Sequence, residues 1–189
     1  MTMPRIFSNT AIVLPPVLLG LLLAASNWRL VQENRRLDAT AQYYASLRHT
    51  PEGVALPALQ GKDAGGRDLT ISYGNGNRRT LLLVFSPICP HCKRTWPAWL
   101  SLAKAAKDTR TVFVNVGGAI PANFAQVYSF DSAEVLGQTN PESVLRYSLL
   151  ETPITIVVSP DGHSQKVWAG ELAPSDIAAA RAILERNVQ

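Results

Sequence analysis

The chain is poor in the residues that mark most specialised folds. Two cysteines in 189 residues exclude a disulfide-dense scaffold. The three histidines, at positions 49, 91 and 163, stand apart, so a four-ligand zinc site of the usual spacing lacks partners and no metal is expected. Charged residues make up 17% of the chain and the net charge is +4, with no long run of Lys or Arg and no basic-aromatic interleaving. Nucleic acid is therefore not an expected partner. There is no internal repeat and no low-complexity tract. The length suits one sizeable core and hardly two.

What the amino terminus lacks is charge. Residues 6–28 carry none, and the stretch from Ala11 to Ala25 is almost wholly apolar. At 1.5 Å per residue this spans about 34 Å, enough for a ~30 Å hydrocarbon core. Pro15 and Pro16 remove two backbone donors, a loss that a membrane span tolerates. Three assignments fit: an uncleaved anchor over residues 1–28, a signal peptide cut after Ala24-Ala25-Ser26, and a buried core helix. Length favours the anchor. Residues 29–53 read as a helical spacer with Leu30, Leu37 and Tyr44 seven apart, too few heptads for a strong coiled-coil signal, so a spacer is favoured over a dimerisation helix. Thr50-Pro51-Glu52-Gly53 ends it.

Residues 54–189 alternate strand and helix patterns. Asp68–Tyr73 alternates polar and apolar, Leu81–Phe85 is a continuous apolar run, Cys89 to about Ala106 has helical spacing, and Thr111–Val116 is a second buried strand. This order implies a right-handed parallel crossover. Residues 117–150 are mixed, with short helical stretches near Phe124–Tyr128 and Pro141–Tyr147. Ile154–Val158 and Gln165–Trp168 flank a Ser159-Pro-Asp-Gly162 turn, and Pro174–Val188 is a last helix. The fold class is α/β, a sandwich with a mixed central sheet.

Both cysteines fall in one motif, Cys89-Pro90-His91-Cys92, between the apolar strand and the helix. A sulfur at a helix start faces unpaired N–H groups and the positive end of the macrodipole, which favour its thiolate. Cys92 follows one turn later, placed to attack a mixed disulfide formed at Cys89. Pro90 suits the first helical turn. His91 can add positive charge near the Cys89 sulfur. A stabilised thiolate also stabilises the reduced dithiol, so this pair should raise the reduction potential.

With Pro97 in the helix and Thr152-Pro153 before a late apolar strand, residues 54–189 resemble the thioredoxin superfamily, a three-layer sandwich. The anchor and the long stretch from Val116 to Thr152 resemble the membrane-tethered TlpA/ResA-like branch. Ser86–Lys93 is also similar to MauD-type accessory proteins, and Pro90-His91 is the dipeptide of DsbA-like oxidants. The resemblance implies that Pro153 is a cis-proline opposite the dithiol and that Thr152 presents backbone groups to an extended substrate. It departs at Leu83, where such enzymes often bury a carboxylate. The proton acceptor for Cys92 must then be water or another group such as Glu151.

The chemistry favours a membrane-tethered thiol-disulfide oxidoreductase on the periplasmic side of the cytoplasmic membrane, secretion after signal cleavage being the alternative. It would need no cofactor beyond the Cys89–Cys92 disulfide. Its partners would be cysteine-containing proteins and a membrane redox protein that resets the dithiol. A Cu(I) metallochaperone is the rival reading, since thiolates suit Cu(I). An inert disulfide is weaker, because so short a loop restrains little of the unfolded chain. Trp96 and Trp99 read as core or rim, and His163 as a solvated turn residue.

Overall fold

The computed structural model describes residues 10–47, 50–74, 78–105, 108–121, 123–127 and 133–186. The chain divides into two compact units, Met1–Ala45 and Ser46–Gln189. The first is built on helix α1 (Thr10–Leu47), whose 38 residues would extend about 57 Å. Leu30 and Leu37 are exposed on it. Among the described residues no helix is long and apolar enough to cross a membrane. The start of the expected 1–28 anchor, residues 1–9, lies outside the described residues, as do the side chains of residues 10–18.

The second unit starts earlier than the expected boundary at 54. Thr50 is buried and its hydroxyl donates to the Tyr147 carbonyl at 2.6 Å. Gly53 N–H donates to Ser164 O at 2.7 Å, and Ser164 Oγ donates to Pro51 O at 2.6 Å. A Pro-Gly cluster reads alike in sequence whether it hangs free or is docked; here long-range hydrogen bonds dock it.

In chain order the unit contains β1 (Leu59–Asp63), β2 (Asp68–Ile71), β3 (Thr80–Phe85), α2 (Pro90–Ala105), β4 (Arg110–Asn115), α3 (Phe124–Val127), β5 (Glu134–Thr139), α4 (Pro141–Arg146), β6 (Ile154–Val158), β7 (Ser164–Ala169) and α5 (Pro174–Glu185). The strands form one mixed sheet in the order β2-β1-β5-β4-β3-β6-β7. β3 runs parallel to β4 and β4 to β5, whereas β6 is antiparallel to β3 and β7 to β6. Sheet and helices make three layers.

Strand periodicity assigns the two faces. On β3, Leu81, Leu83 and Phe85 join Trp99 and Leu102 of α2 and Ala180 and Leu184 of α5. The alternate residues Leu82 and Val84 face the other way, with Val112, Val114, Ile154, Ile156, Tyr147 and Leu149. Burial on both faces is why β3 reads as an unbroken apolar run.

Two strands were not expected. β1 and β5 pair with each other, and β5 follows β4 in parallel. They lack the continuous apolar pattern and are fixed by close backbone approach instead. A side-chain carbon added at Gly61 would meet Gln138 O at 2.1 Å, so only glycine fits there.

Candidate active site

β3 delivers the chain to the site and α2 receives it. After Phe85 the segment Ser86-Pro87-Ile88 turns, with Cys89 N–H donating to Ser86 O at 3.1 Å. α2 begins at Pro90, so Cys89 is the residue capping the helix rather than its first helical one. Its Sγ accepts the N–H of Cys92 at 3.4 Å, the bond that a serine or aspartate oxygen makes at many helix starts. Pro90 occupies the first helical position, where no N–H is needed.

The two sulfurs live in different surroundings. Both cysteines are free; Cys89 is partly exposed and Cys92 is 3% exposed. The Cys89 thiol lies 3.4 Å from the main-chain oxygen of Thr152. Partial burial works against its ionisation. The Thr152 side chain, the N–H and thiol of Cys92 and the N–H of His91 outweigh this and hold the Cys89 pKa below the ordinary thiol value. Burial dominates at Cys92 and, with the neighbouring Cys89 sulfur, pushes it up to about 11 against opposing hydrogen bonds from Ser86 N–H and the Thr152 side chain. The exposed sulfur is primed to attack and the buried one is held in reserve.

This asymmetry sets a pH profile. A depressed pKa contributes native stability above the unfolded thiol value that is lost as pH falls through the folded value, and a raised pKa does the reverse. Stability from Cys89 is therefore complete above about pH 8.5 and declines below it, while that from Cys92 is lost on the way to about 11. Alkylation by iodoacetamide should show one thiol reacting at a pH below that of a free cysteine. Cys89→Ser should erase that early phase and leave only slow reaction of a buried thiol whose pKa burial still raises, and an early phase surviving in Cys89→Ser would refute the assignment.

The remaining expected residues also converge. The Thr152–Pro153 peptide is cis, and Pro153 is buried beside the dithiol loop. The Thr152 main-chain oxygen contacts the Cys89 sulfur. His91 acts on Cys89 through its main-chain N–H, while its ring points to Glu171, with Nδ1 2.6 Å from Oε1. Leu83 is fully buried beneath the dithiol with Phe85 and Cys92 in one cluster. Glu151 is exposed. Beside Cys92 a cavity of about 310 Å³ opens between Phe85, Pro87, Trp96, Ile120 and Phe124. Among the described residues no group of three or more His, Cys, Asp or Glu side chains could hold a metal.

Glu171, Arg94 and Ser86 were not singled out from sequence. Glu171 lies 80 residues from His91, and no spacing rule links a loop after β7 to the first turn of α2.

No protein-family model matches the chain, and a comparison with curated proteins finds no match. Solved structures do resemble it. A secreted Mycobacterium tuberculosis disulfide oxidoreductase, described as homologous to E. coli DsbE, is 16% identical with a TM-score of 0.54, covering 66% of this chain and 94% of its own. The thioredoxin domain of a thiol-disulfide oxidoreductase from Bacteroides vulgatus is 19% identical with a TM-score of 0.53, covering 74% and 99%. A thio-disulfide isomerase from Thermus thermophilus is 17% identical with a TM-score of 0.52, covering 72% and 98%. With its seven-stranded mixed sheet, its dithiol at the mouth of α2 and its cis-proline opposite, the chain has the thioredoxin fold.

Proposed function

We propose that the chain is a thiol-disulfide oxidoreductase that exchanges electrons with cysteine-containing proteins through Cys89 and Cys92. The observation that carries this is the partly exposed Cys89 sulfur capping α2, directly over a buried Cys92 of raised pKa. In the reducing direction the Cys89 thiolate attacks one sulfur of a partner disulfide, forms a mixed disulfide and releases the other partner sulfur as a thiolate, which takes up a proton. Cys92 then gives up its proton and attacks the Cys89 sulfur. The Cys89–Cys92 bond forms, the partner's second thiol leaves, and two electrons have moved to the partner. Each step runs backwards when the partner is the dithiol.

The cavity beside Cys92 gives water room to accept its proton, the task that Leu83 cannot perform. Thr152 and Pro153 form the docking rim for an extended client segment. No cofactor is required, since a partner dithiol supplies the electrons. Residues 1–28 serve as a membrane tether, supported by the charge-free stretch at 6–28 and the continuous helix α1. The catalytic unit then faces the periplasm, where protein disulfides form, and a membrane redox protein resets it.

Insulin reduction by dithiothreitol tests the activity. The wild-type chain should accelerate it well above the uncatalysed rate, and Cys89→Ser should not. A wild-type chain without effect, binding Cu(I) tightly instead, would overturn the reading in favour of metal delivery. Recovery of the chain from washed membranes, lost on deletion of residues 1–28, tests the tether.

A further inference from the structure

The ionisable side chains nearest the dithiol in sequence or by contact are His91, Lys93 and Arg94 on α2, Glu151 ahead of Pro153, and Glu171 in the loop after β7. Glu171 bonds two of them together. Its Oε1 accepts from Arg94 Nε at 2.9 Å, lies 2.7 Å from Arg94 Nη2 and 2.6 Å from His91 Nδ1. Arg94 Nη2 is in turn 2.8 Å from the same Nδ1. A guanidinium nitrogen can only donate and a carboxylate can only accept. A bare Nδ1 therefore accepts from Arg94, whereas a protonated Nδ1 donates to Glu171. In both states Glu171 keeps the guanidinium, so the carboxylate is the fixed member of the trio.

Building on the oxidoreductase reading, we propose that Glu171 is a positioning residue that sets the charge felt by the Cys89 sulfur, by holding Arg94 and His91 in one three-way contact and cancelling the guanidinium's charge. The placement of the trio supports this balance. His91 and Arg94 sit two and five residues after Cys89, within about 8 Å of it along the helix axis, which is inside one Debye length at physiological salt. Consistently, the hydrogen bond that Arg94 donates to Glu171 raises the Arg94 pKa against slight desolvation, and the charges of Glu171 and then of the Cys89 sulfur add to it. The Glu171 carboxyl is held below its usual range by Arg94 first and His91 next.

The sign follows from the charges. Without the carboxylate, Arg94 stands uncancelled, the thiolate and hence the dithiol are stabilised, and the protein becomes the stronger oxidant. Without the guanidinium, Glu171 opposes the thiolate and the disulfide is favoured. The trio is solvent-exposed, so the effect is modest and screened by salt.

The test is equilibration of the full chain with glutathione, in which the protein dithiol passes two electrons and two protons to oxidised glutathione and yields two molecules of the reduced form. E171Q should shift the equilibrium about threefold toward the dithiol, about 14 mV at 29.6 mV per tenfold, and lower the thiolate absorbance midpoint of Cys89. R94Q should shift both in the opposite direction by a similar factor. The R94Q/E171Q double variant should return to near the wild-type value, and all shifts should shrink in 1 M salt. Single variants that move together, or shifts that ignore salt, would overturn the proposal while leaving the activity intact. A wild-type chain that does not exchange with glutathione would instead overturn the oxidoreductase reading itself.

Discussion

Cys92→Ser is expected to leave the chain covalently joined to its clients through Cys89. The attacking sulfur is untouched in this variant, so mixed disulfides form at the normal rate. Their resolution fails, because the serine hydroxyl cannot expel a thiolate. In the wild-type chain the second attack is intramolecular, from the sulfur of Cys92 one helical turn away, a residue whose main-chain N–H already donates to Cys89 Sγ at 3.4 Å. Well-oriented intramolecular groups act at effective concentrations many orders above the millimolar thiols of a buffer, so trapped species should persist at least ~10³-fold longer. Non-reducing electrophoresis and mass spectrometry of the adducts measure this. Cys89→Ser should trap little: burial, the largest cause of the raised Cys92 pKa, persists in this variant, and the sulfur is hidden from clients. Equal trapping by the two variants would contradict the division of labour.

The largest effect on stability is expected at Trp99. Its side chain is fully buried, and Nε1 donates to Thr155 Oγ1 at 2.8 Å, tying α2 to β6. Its ring also lies edge-on to Trp96 at 5.7 Å. Trp99→Ala removes this volume and should cost about 3–5 kcal/mol, to which the orphaned Thr155 hydroxyl adds about 1 kcal/mol or more. Against a total of roughly 5–15 kcal/mol this is a large share. The urea midpoint should fall by about 2 M for a slope near 2 kcal/mol/M. Trp99→Phe, which keeps most of the volume but loses the bond, should fall by less than half as much. An unchanged midpoint in Trp99→Ala would mean that α2 is anchored elsewhere. Because Cys92 shares the buried face of α2 with Trp99, loosening the helix should also hydrate that thiol and bring its pKa down.

Features written locally were legible in the sequence. The apolar run of β3, the Cys-Pro-His-Cys helix start and the Ser159–Gly162 hairpin all announce themselves within a few residues, while the cis-proline before β6 followed from the resemblance. β1 and β5 do not. β1 buries only Leu59 completely, and its place is set by pairing with β5 some 75 residues later in the chain, where backbone contact at Gly61 decides which residue fits. The site divides the same way. Residues 89–92 are marked as a pair by their spacing, whereas 152–153 were marked by the resemblance to the thioredoxin superfamily. The link from His91 and Arg94 to Glu171 exists only because β7 ends beside the start of α2, and the lowered Cys89 pKa owes more to Thr152 than to the His91 ring the motif had suggested.

Residues 50–56 have a consequence beyond marking where the second unit begins. They lie along the outer side of β7: Ala55 bridges His163, Gly53 and Val54 exchange backbone hydrogen bonds with Ser164, and Glu52 Oε1 accepts Val167 N–H at 3.1 Å while pairing with Lys166 at 2.8 Å. A sheet rim left bare invites strand addition from another molecule. The stretch of polypeptide entering the unit thus doubles as a selvedge, sealing the margin nearest the redox centre against self-association and leaving short, charge-flanked β2 as the opposite border.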